Sequence, residues 1–358
     1  MFTNNMFKIQ WAPINIPPRR RLQTFFIGIY VLSLFMFGLY SYLICGLVIY
    51  FGNIYLKALF ITYVFWILYD KNRIHNCNRG PGVRWMRDSF FGRQIREYFP
   101  VELVKTAELH PNKNYLLACF PHGVISFGFF TNMCSDITKW NALFPKVRVH
   151  LATLGMHFNS PFWREVIRSW GMISVGRDSL LRHLKISNDP DAPVNSDGYC
   201  ASAVAVIVGG SEEALDARPG NYVLTLKNRK GFIKVAMQSG AAIVPVFSFG
   251  ENDLFDQIKN PPQSKVRKIQ NFIKEKTGIP PLMVLGRGFF QYSFGLIPQR
   301  KRIVQVVGSP IDVPQCSDPE QEVVEKYHRI FMESLNSLFE THKRKYIENA
   351  DEIKLSFK

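Results

Sequence analysis

The stretch Tyr115-Leu116-Leu117-Ala118-Cys119-Phe120-Pro121-His122-Gly123 decides how this chain is read. An apolar run from Tyr115 to Phe120, cut off by Pro and Gly, predicts a buried strand that ends in a loop. His122 then stands where a sheet stops and a cleft opens, which is where open α/β sheets hold their ligands. Imidazole takes and returns a proton near neutral pH, so His122 is a candidate general base. A satisfied structural histidine is the plainer reading of that residue alone.

Further apolar runs extend the pattern outward. Val147–Thr153, Met172–Val175, Ala203–Val208, Ala242–Phe247 and Ile303–Val307 are candidate strands. Ser160–Trp170, Arg229–Ser239 and Glu320–Lys345 are candidate helices, the last with an apolar face formed by Val323, Val324, Tyr327, Ile330, Phe331 and Leu335. Strands alternating with helices predict an α/β unit from about Val101 onward, a mixed or mainly parallel sheet covered by helices. The Asn-, Asp- and Pro-rich stretch Ser187–Asp197 is expected to be an insert.

Two more places carry candidate chemistry. The Ala203–Val208 strand runs into Gly209-Gly210-Ser211-Glu212-Glu213, a turn exposing backbone N–H groups and carboxylates. It reads either as an ordinary loop or as an acid set across a cleft from His122. Lys227-Asn228-Arg229-Lys230-Gly231-Phe232 opens a helix, and basic side chains at a helix start suit an anion, although a charged cap is the simpler account. A nucleophilic serine fits poorly. In Gly123-Val124-Ile125-Ser126-Phe127-Gly128 the serine lies one residue too far from the first glycine for a nucleophile elbow, so Ser126 is expected to be a plain helix residue.

Toward the N-terminus, the 48 residues from Leu22 to Tyr69 contain a single charged side chain, Lys57. A bilayer core takes about 20 apolar residues, so this run predicts a helical hairpin with its turn between Ser41 and Asn53. Arg19, Arg20 and Arg21 before it and Lys71 and Arg73 after it place both ends in the cytosol. The run is too long for a signal peptide. The expected divisions are a cytosolic segment 1–21, a membrane hairpin 22–69 and a cytosolic domain 70–358. The six cysteines show no paired spacing, as in a reducing compartment, and His150 and His157 lack ligand company, so no metal site is expected. The net charge of +16 calls for an anionic partner. No nucleic-acid motif accompanies it, whereas Lys265, Arg267, Lys268, Lys274 and Lys276 around Val266, Ile269, Phe272 and Ile273 suit a membrane surface or a solvated helix face.

Taken in order, these strings resemble the type-two diacylglycerol acyltransferase family, which includes monoacylglycerol and wax-alcohol acyltransferases. The resemblance rests on Phe120-Pro121-His122-Gly123, where the family usually has His-Pro-His-Gly, on Val208–Leu215, on Leu226–Phe232 and on Pro245–Asn252. Phe294–Pro298 and Val307–Ile311 fit as well. It implies a glycerolipid-acyltransferase-like fold, an endoplasmic reticulum membrane or lipid-droplet location, and acyl transfer from acyl-coenzyme A to a hydroxyl of a neutral glycerolipid or fatty alcohol, making triacylglycerol where the acceptor is diacylglycerol. Acyl-coenzyme A is then a substrate, and no cofactor is implied. Carried over by position, His122 and Glu213 are catalytic, with Glu213 as the carboxylate that orients the ring, because Phe127 stands where related glycerol-phosphate acyltransferases have an acid. Arg229 and Lys230 would hold the coenzyme A phosphates, and backbone N–H groups near Gly123, Gly209 and Gly210 would face the oxyanion. Phe120 replaces the family's first histidine. It supports the competing expectation of a non-catalytic membrane lipid-binding protein. The choice of acceptor stays open, as does assembly into a homo-oligomer.

Overall fold

The computed structural model describes residues 9–70, 85–87, 89–134, 140–192 and 198–358. Lys71, Arg73, Cys77 and the 193–197 part of the expected insert lie outside the described residues. The main sheet has seven strands in the order β1 (Val101–Lys105), β10 (Ile303–Val307), β7 (Ala242–Phe249), β2 (Tyr115–Phe120), β5 (Ala201–Ile207), β3 (Val147–Thr153) and β4 (Ile173–Ser174). Neighbours from β7 to β4 are parallel, while β10 runs antiparallel to β7 and carries β1 parallel to itself. The sheet is therefore mixed, as the sequence predicts. Two short pairs flank it: β6 (Val223–Leu224) with β11 (Ser356–Phe357), and β8 (Asp256–Gln257) with β9 (Val284–Leu285).

Every residue of β2 and β7 is buried, which is what near-continuous apolar runs produce in strands covered on both faces. The helices Arg177–Leu184, Gly231–Ser239 and Gln321–Tyr346 provide part of that cover. Phe331 and Phe339 of the last helix sit fully buried against Phe120 and Phe247. The functional consequence of this topology is an alignment. Because β7, β2, β5, β3 and β4 are adjacent and parallel, the loops that leave their C-terminal ends all emerge on one edge.

Upstream lie two apolar helices, α1 (Pro18–Phe51) and α2 (Ile54–Asp70), separated at Gly52-Asn53, the far end of the expected turn region. Asn53 caps α2 by accepting from the Leu56 N–H at 2.9 Å. The most apolar window of α1 has a mean hydropathy of 2.1 and is only 11% buried, so this helix is long and apolar enough to cross a membrane. Its first half is nevertheless part of the body. Ile27 and Val31 are fully buried, and Tyr30 stacks on Phe130 at 5.0 Å. Large apolar side chains along α2, including Tyr55, Leu59, Phe65 and Trp66, are exposed.

The end of α2 is fixed by charge. Asp70 reaches both Arg164 and Arg168 of the Trp163–Ser169 helix at 2.5 Å, with the Arg164 side chain 1% and the Asp70 side chain 7% exposed. Stacking of Tyr63 on Phe162 at 5.1 Å adds to the seam. Removing one partner of a buried pair strands the other charge, at a cost of about 3 kcal/mol or more. Glu165 also neighbours both arginines, 3.1 Å from Arg164 and 3.8 Å from Arg168, so Asp70→Ala is expected to lower stability by about 1–3 kcal/mol, read as a drop in the thermal unfolding midpoint in detergent. An unchanged midpoint would show that α2 is not held to the body by this pair.

Candidate active site

His122 follows β2 through a cis Phe120–Pro121 bond and is itself followed by Gly123, whose φ is +60°. The loop is held from two sides by carboxylates. Glu213, on the short Gly210–Ala214 helix after β5, accepts from the His122 backbone N–H at 2.5 Å and from the Thr225 N–H at 3.0 Å. Glu251, just past β7, accepts from the Gly128 N–H at 3.0 Å and from the Ser248 hydroxyl at 3.1 Å. Two glycines are required by this packing. A Cβ on Gly209 would stand 2.0 Å from a Glu213 carboxylate oxygen, and one on Gly123 would stand 2.7 Å from Glu251 Cγ.

The imidazole is bonded within its own loop. His122 Nδ1 lies 3.0 Å from the Gly123 carbonyl oxygen. A carbonyl only accepts, so Nδ1 carries the hydrogen and Nε2 keeps its lone pair. Burial lowers the ring's pKa below the ordinary 6.5, with the bond to Gly123 pulling the other way. His122 is thus neutral at physiological pH, with its basic nitrogen on Nε2.

This ring lines an apolar cavity of about 230 Å³. Val124, Ile125 and Ser126 continue the wall from the same loop, Leu154 and His157 come from the end of β3, and Gly210, Ser211 and Ala214 from the end of β5. Tyr30, Leu34, Phe35 and Phe37 of α1 close it, so the apolar N-terminal helix is a wall of the site. A base facing an apolar cavity walled by a membrane-length helix can deprotonate a hydroxyl carried by an oily molecule.

Of the residues singled out from the sequence, His122, Gly123, Gly209, Gly210 and Glu213 come together here. Glu213 does so in a different posture from the one expected. Its carboxylate oxygens are engaged by two backbone N–H groups, and the ring's bond is to Gly123, so Glu213 holds the loop rather than the ring. Arg229 and Lys230 are not among the cavity-lining residues. Arg229 is exposed, and Lys230 pairs with Glu325 at 3.0 Å. Ser126 is not a plain helix residue either. It precedes the Phe127–Met133 helix at φ +64°, and its hydroxyl donates to the His122 carbonyl at 2.7 Å. Phe120 points into the core, fully buried, its ring 6.2 Å from that of Phe331. It shapes the strand end without facing the cavity. No cluster able to hold a metal is found among the described residues.

Sequence reading missed Glu251, although it lies in the Pro245–Asn252 string. A carboxylate from the end of β7 meets the N-terminus of the Phe127–Met133 helix, beside the position where Phe127 stands in place of an acid. A buried chain satisfies it: Asn132 Nδ2 donates to Gln305 Oε1, Gln305 Nε2 to Ser248 Oγ, and Ser248 to Glu251. The only sequence signal was an acid closing a strand whose end falls on the same edge as His122.

The chain is similar to several known proteins. A family profile described as "Diacylglycerol acyltransferase" matches residues 47–358. A "Diacylglycerol O-acyltransferase 2" of Dictyostelium discoideum is 41% identical over 94% of this chain and 96% of its own length. A "2-acylglycerol O-acyltransferase 1" of Bos taurus is 38% identical over 95% and 96%. A "Diacylglycerol O-acyltransferase 2A" of Umbelopsis ramanniana is 35% identical over 95% and 91%.

The two buried acids give the site a pH signature. Burial raises Glu251 to about 8 and Glu213 to about 7, against their backbone and hydroxyl donors, which pull downward. An unfolded glutamate ionises near 4.5, so between that pH and the folded values the folded state binds more protons. Stability therefore falls as pH rises from 5 to 8. Glu251→Gln, neutral at every pH, is expected to flatten that fall in thermal unfolding midpoints; the same slope in the variant would contradict the assignment.

Proposed function

We propose, from the membership of this chain in the diacylglycerol acyltransferase family, that His122 is the general base for transfer of an acyl group from acyl-coenzyme A to the free hydroxyl of diacylglycerol. The observation that carries this reading is the tautomer. With Nδ1–H tied to the Gly123 carbonyl, the lone pair on Nε2 remains for a hydroxyl proton, on the wall of an apolar cavity.

An alcohol is a weak nucleophile until its proton is removed. Nε2 takes that proton as the oxygen attacks the thioester carbon, and the carbonyl oxygen becomes an oxyanion. Backbone N–H groups of the Gly123 and Gly209-Gly210 turns are the proposed donors to it. As the tetrahedral carbon collapses, the carbon–sulfur bond breaks and Nε2–H returns the proton to the leaving thiolate. The products are triacylglycerol and free coenzyme A. No covalent acyl-enzyme and no cofactor enter. Arg229 and Lys230 sit on the loop that Thr225 begins, itself bonded to Glu213, where their charge suits the coenzyme A phosphates. The 2-acylglycerol acceptor of the bovine relative is the second reading, since it offers the same hydroxyl chemistry.

Membrane attachment follows from the same surfaces. We assign α1 and α2 to the endoplasmic reticulum bilayer as a hairpin, with the sheet on the cytosolic side and access to lipid droplets. The Lys265–Thr277 helix suits contact with that surface. It buries Arg267 and Gln270, whereas Ile269 and Phe272 are 57% and 61% exposed beside Lys268 and Lys276. The segment that follows it, with Ile279, Pro280 and Leu282, lines the cavity.

Microsomes carrying the protein, incubated with labelled acyl-coenzyme A and diacylglycerol, are expected to form labelled triacylglycerol. His122→Ala should lower that rate by about 10²- to 10⁴-fold while the protein stays in the membrane fraction. In the unaltered protein kcat/KM should fall only on the acid side of pH 6.5, where the ring gains a proton. Unchanged turnover in the variant would remove His122 as the base.

A further inference from the structure

A second histidine shares the cavity with His122 and is wired the other way round. His157 lies on the 3₁₀ turn Gly155–Phe158 at the end of β3, 8% exposed, and lines the same apolar wall. Its Nδ1 lies 3.1 Å from Trp163 Nε1. Indole only donates, so Nδ1 is the acceptor and the hydrogen of the neutral ring sits on Nε2. Phe37 of α1 packs on the ring at 4.6 Å, and the Trp163 ring stands 6.3 Å away, which fixes its orientation. Burial lowers its pKa to about 4, so the neutral ring persists throughout the physiological range.

These facts divide the labour between the two rings. His122 presents a lone pair and can take a proton. The acceptor nitrogen of His157 is occupied by the indole, so His157 can only donate. We propose that His157 is the acceptor-specificity residue: its Nε2–H donates to an ester carbonyl that an acylglycerol already carries, which favours acylglycerols over long-chain alcohols. The assignment rests on the acyl-transfer reading above. A carbonyl drawn from water into an apolar cavity without a donor pays its desolvation in full. A long-chain alcohol carries no ester carbonyl and gains nothing from the donor, whereas a thioester carbonyl would be served equally with every acceptor. The selectivity between acceptors is what identifies the partner of His157.

The test uses microsomes of the full chain, acyl-coenzyme A and three acceptors: a diacylglycerol, its dialkyl ether counterpart, which keeps the hydroxyl but lacks the carbonyls, and a long-chain alcohol. The unaltered protein should show a KM for the ester lower than for the ether by about tenfold, the size of one buried hydrogen bond. His157→Phe should raise the diacylglycerol KM by about that factor more than it raises the KM of the ether or the alcohol. His157→Gln, which keeps an N–H donor, should restore part of the preference. Equal KM values for ester and ether in the unaltered protein, or a parallel loss on all three acceptors in His157→Phe, would overturn the proposal while acyl transfer stands. If the Phe variant fails to accumulate, His157→Gln carries the comparison, and equal ester and ether KM values in the unaltered protein still overturn the proposal. Absence of turnover with every acceptor would overturn acyl transfer itself, and this assignment with it.

Discussion

The site depends on one buried carboxylate. Glu213 accepts from the backbone N–H groups of His122 and Thr225, and thereby ties the end of β2 to the turn after β5 and to the start of the basic loop. Neither contact involves a catalytic atom, yet together they set where the His122 loop runs. Gly209 is the counterpart of this bond, because its missing side chain is the space the carboxylate fills. Glu251 provides the same service from β7, under Gly123 and against the first turn of the Phe127–Met133 helix. A loop gripped on both sides can hold an imidazole in one tautomer with only a backbone carbonyl as its partner. The ring's bond goes to the Gly123 carbonyl, not to the carboxylate expected from the sequence.

The second constraint is that the apolar N-terminal helix serves two ends. Its first half buries Ile27, Tyr30 and Val31 against the sheet domain and walls the cavity with Leu34, Phe35 and Phe37. Beyond Ser41 its side chains face outward. The apolar helix and the sheet domain are thus one packed unit. The Asp70 pair at the end of α2 and the Tyr63–Phe162 stack close the second seam, close to the turn that carries His157.

Much of this was legible in the sequence where burial is complete. β2, β3 and β10 fall on the residues predicted for them, because strands covered on both faces read as unbroken apolar runs. The edge strand β1, with its half-buried Val-Glu-Leu-Val-Lys pattern, carries no such signal and was not predicted. Length and charge also announced the two apolar helices, although the separation of a hairpin at 22–69 from a domain at 70–358 did not reveal that α1 starts at Pro18 and packs into the body. In the site, His122 and the Gly209–Glu213 turn were legible because strand-end loops concentrate on one edge. What stayed hidden was which atoms meet. The bond of Glu213 to a backbone N–H, the inward turn of Phe120 and the opposite tautomers of His122 and His157 arise from contacts between distant segments. Local pattern does not encode them.

The central claim is geometric: a neutral His122, Nε2 open, beside an apolar cavity shared by α1 and the ends of the parallel strands. The most direct measurement is a structure of the protein in lipid with a non-reactive thioether analogue of acyl-coenzyme A. The account predicts the acyl chain between α1 and the sheet, against Tyr30 and Phe37, with the carbon that replaces the thioester carbonyl within reach of His122 Nε2. An acyl chain bound elsewhere, with the cavity behind His122 empty, would contradict it.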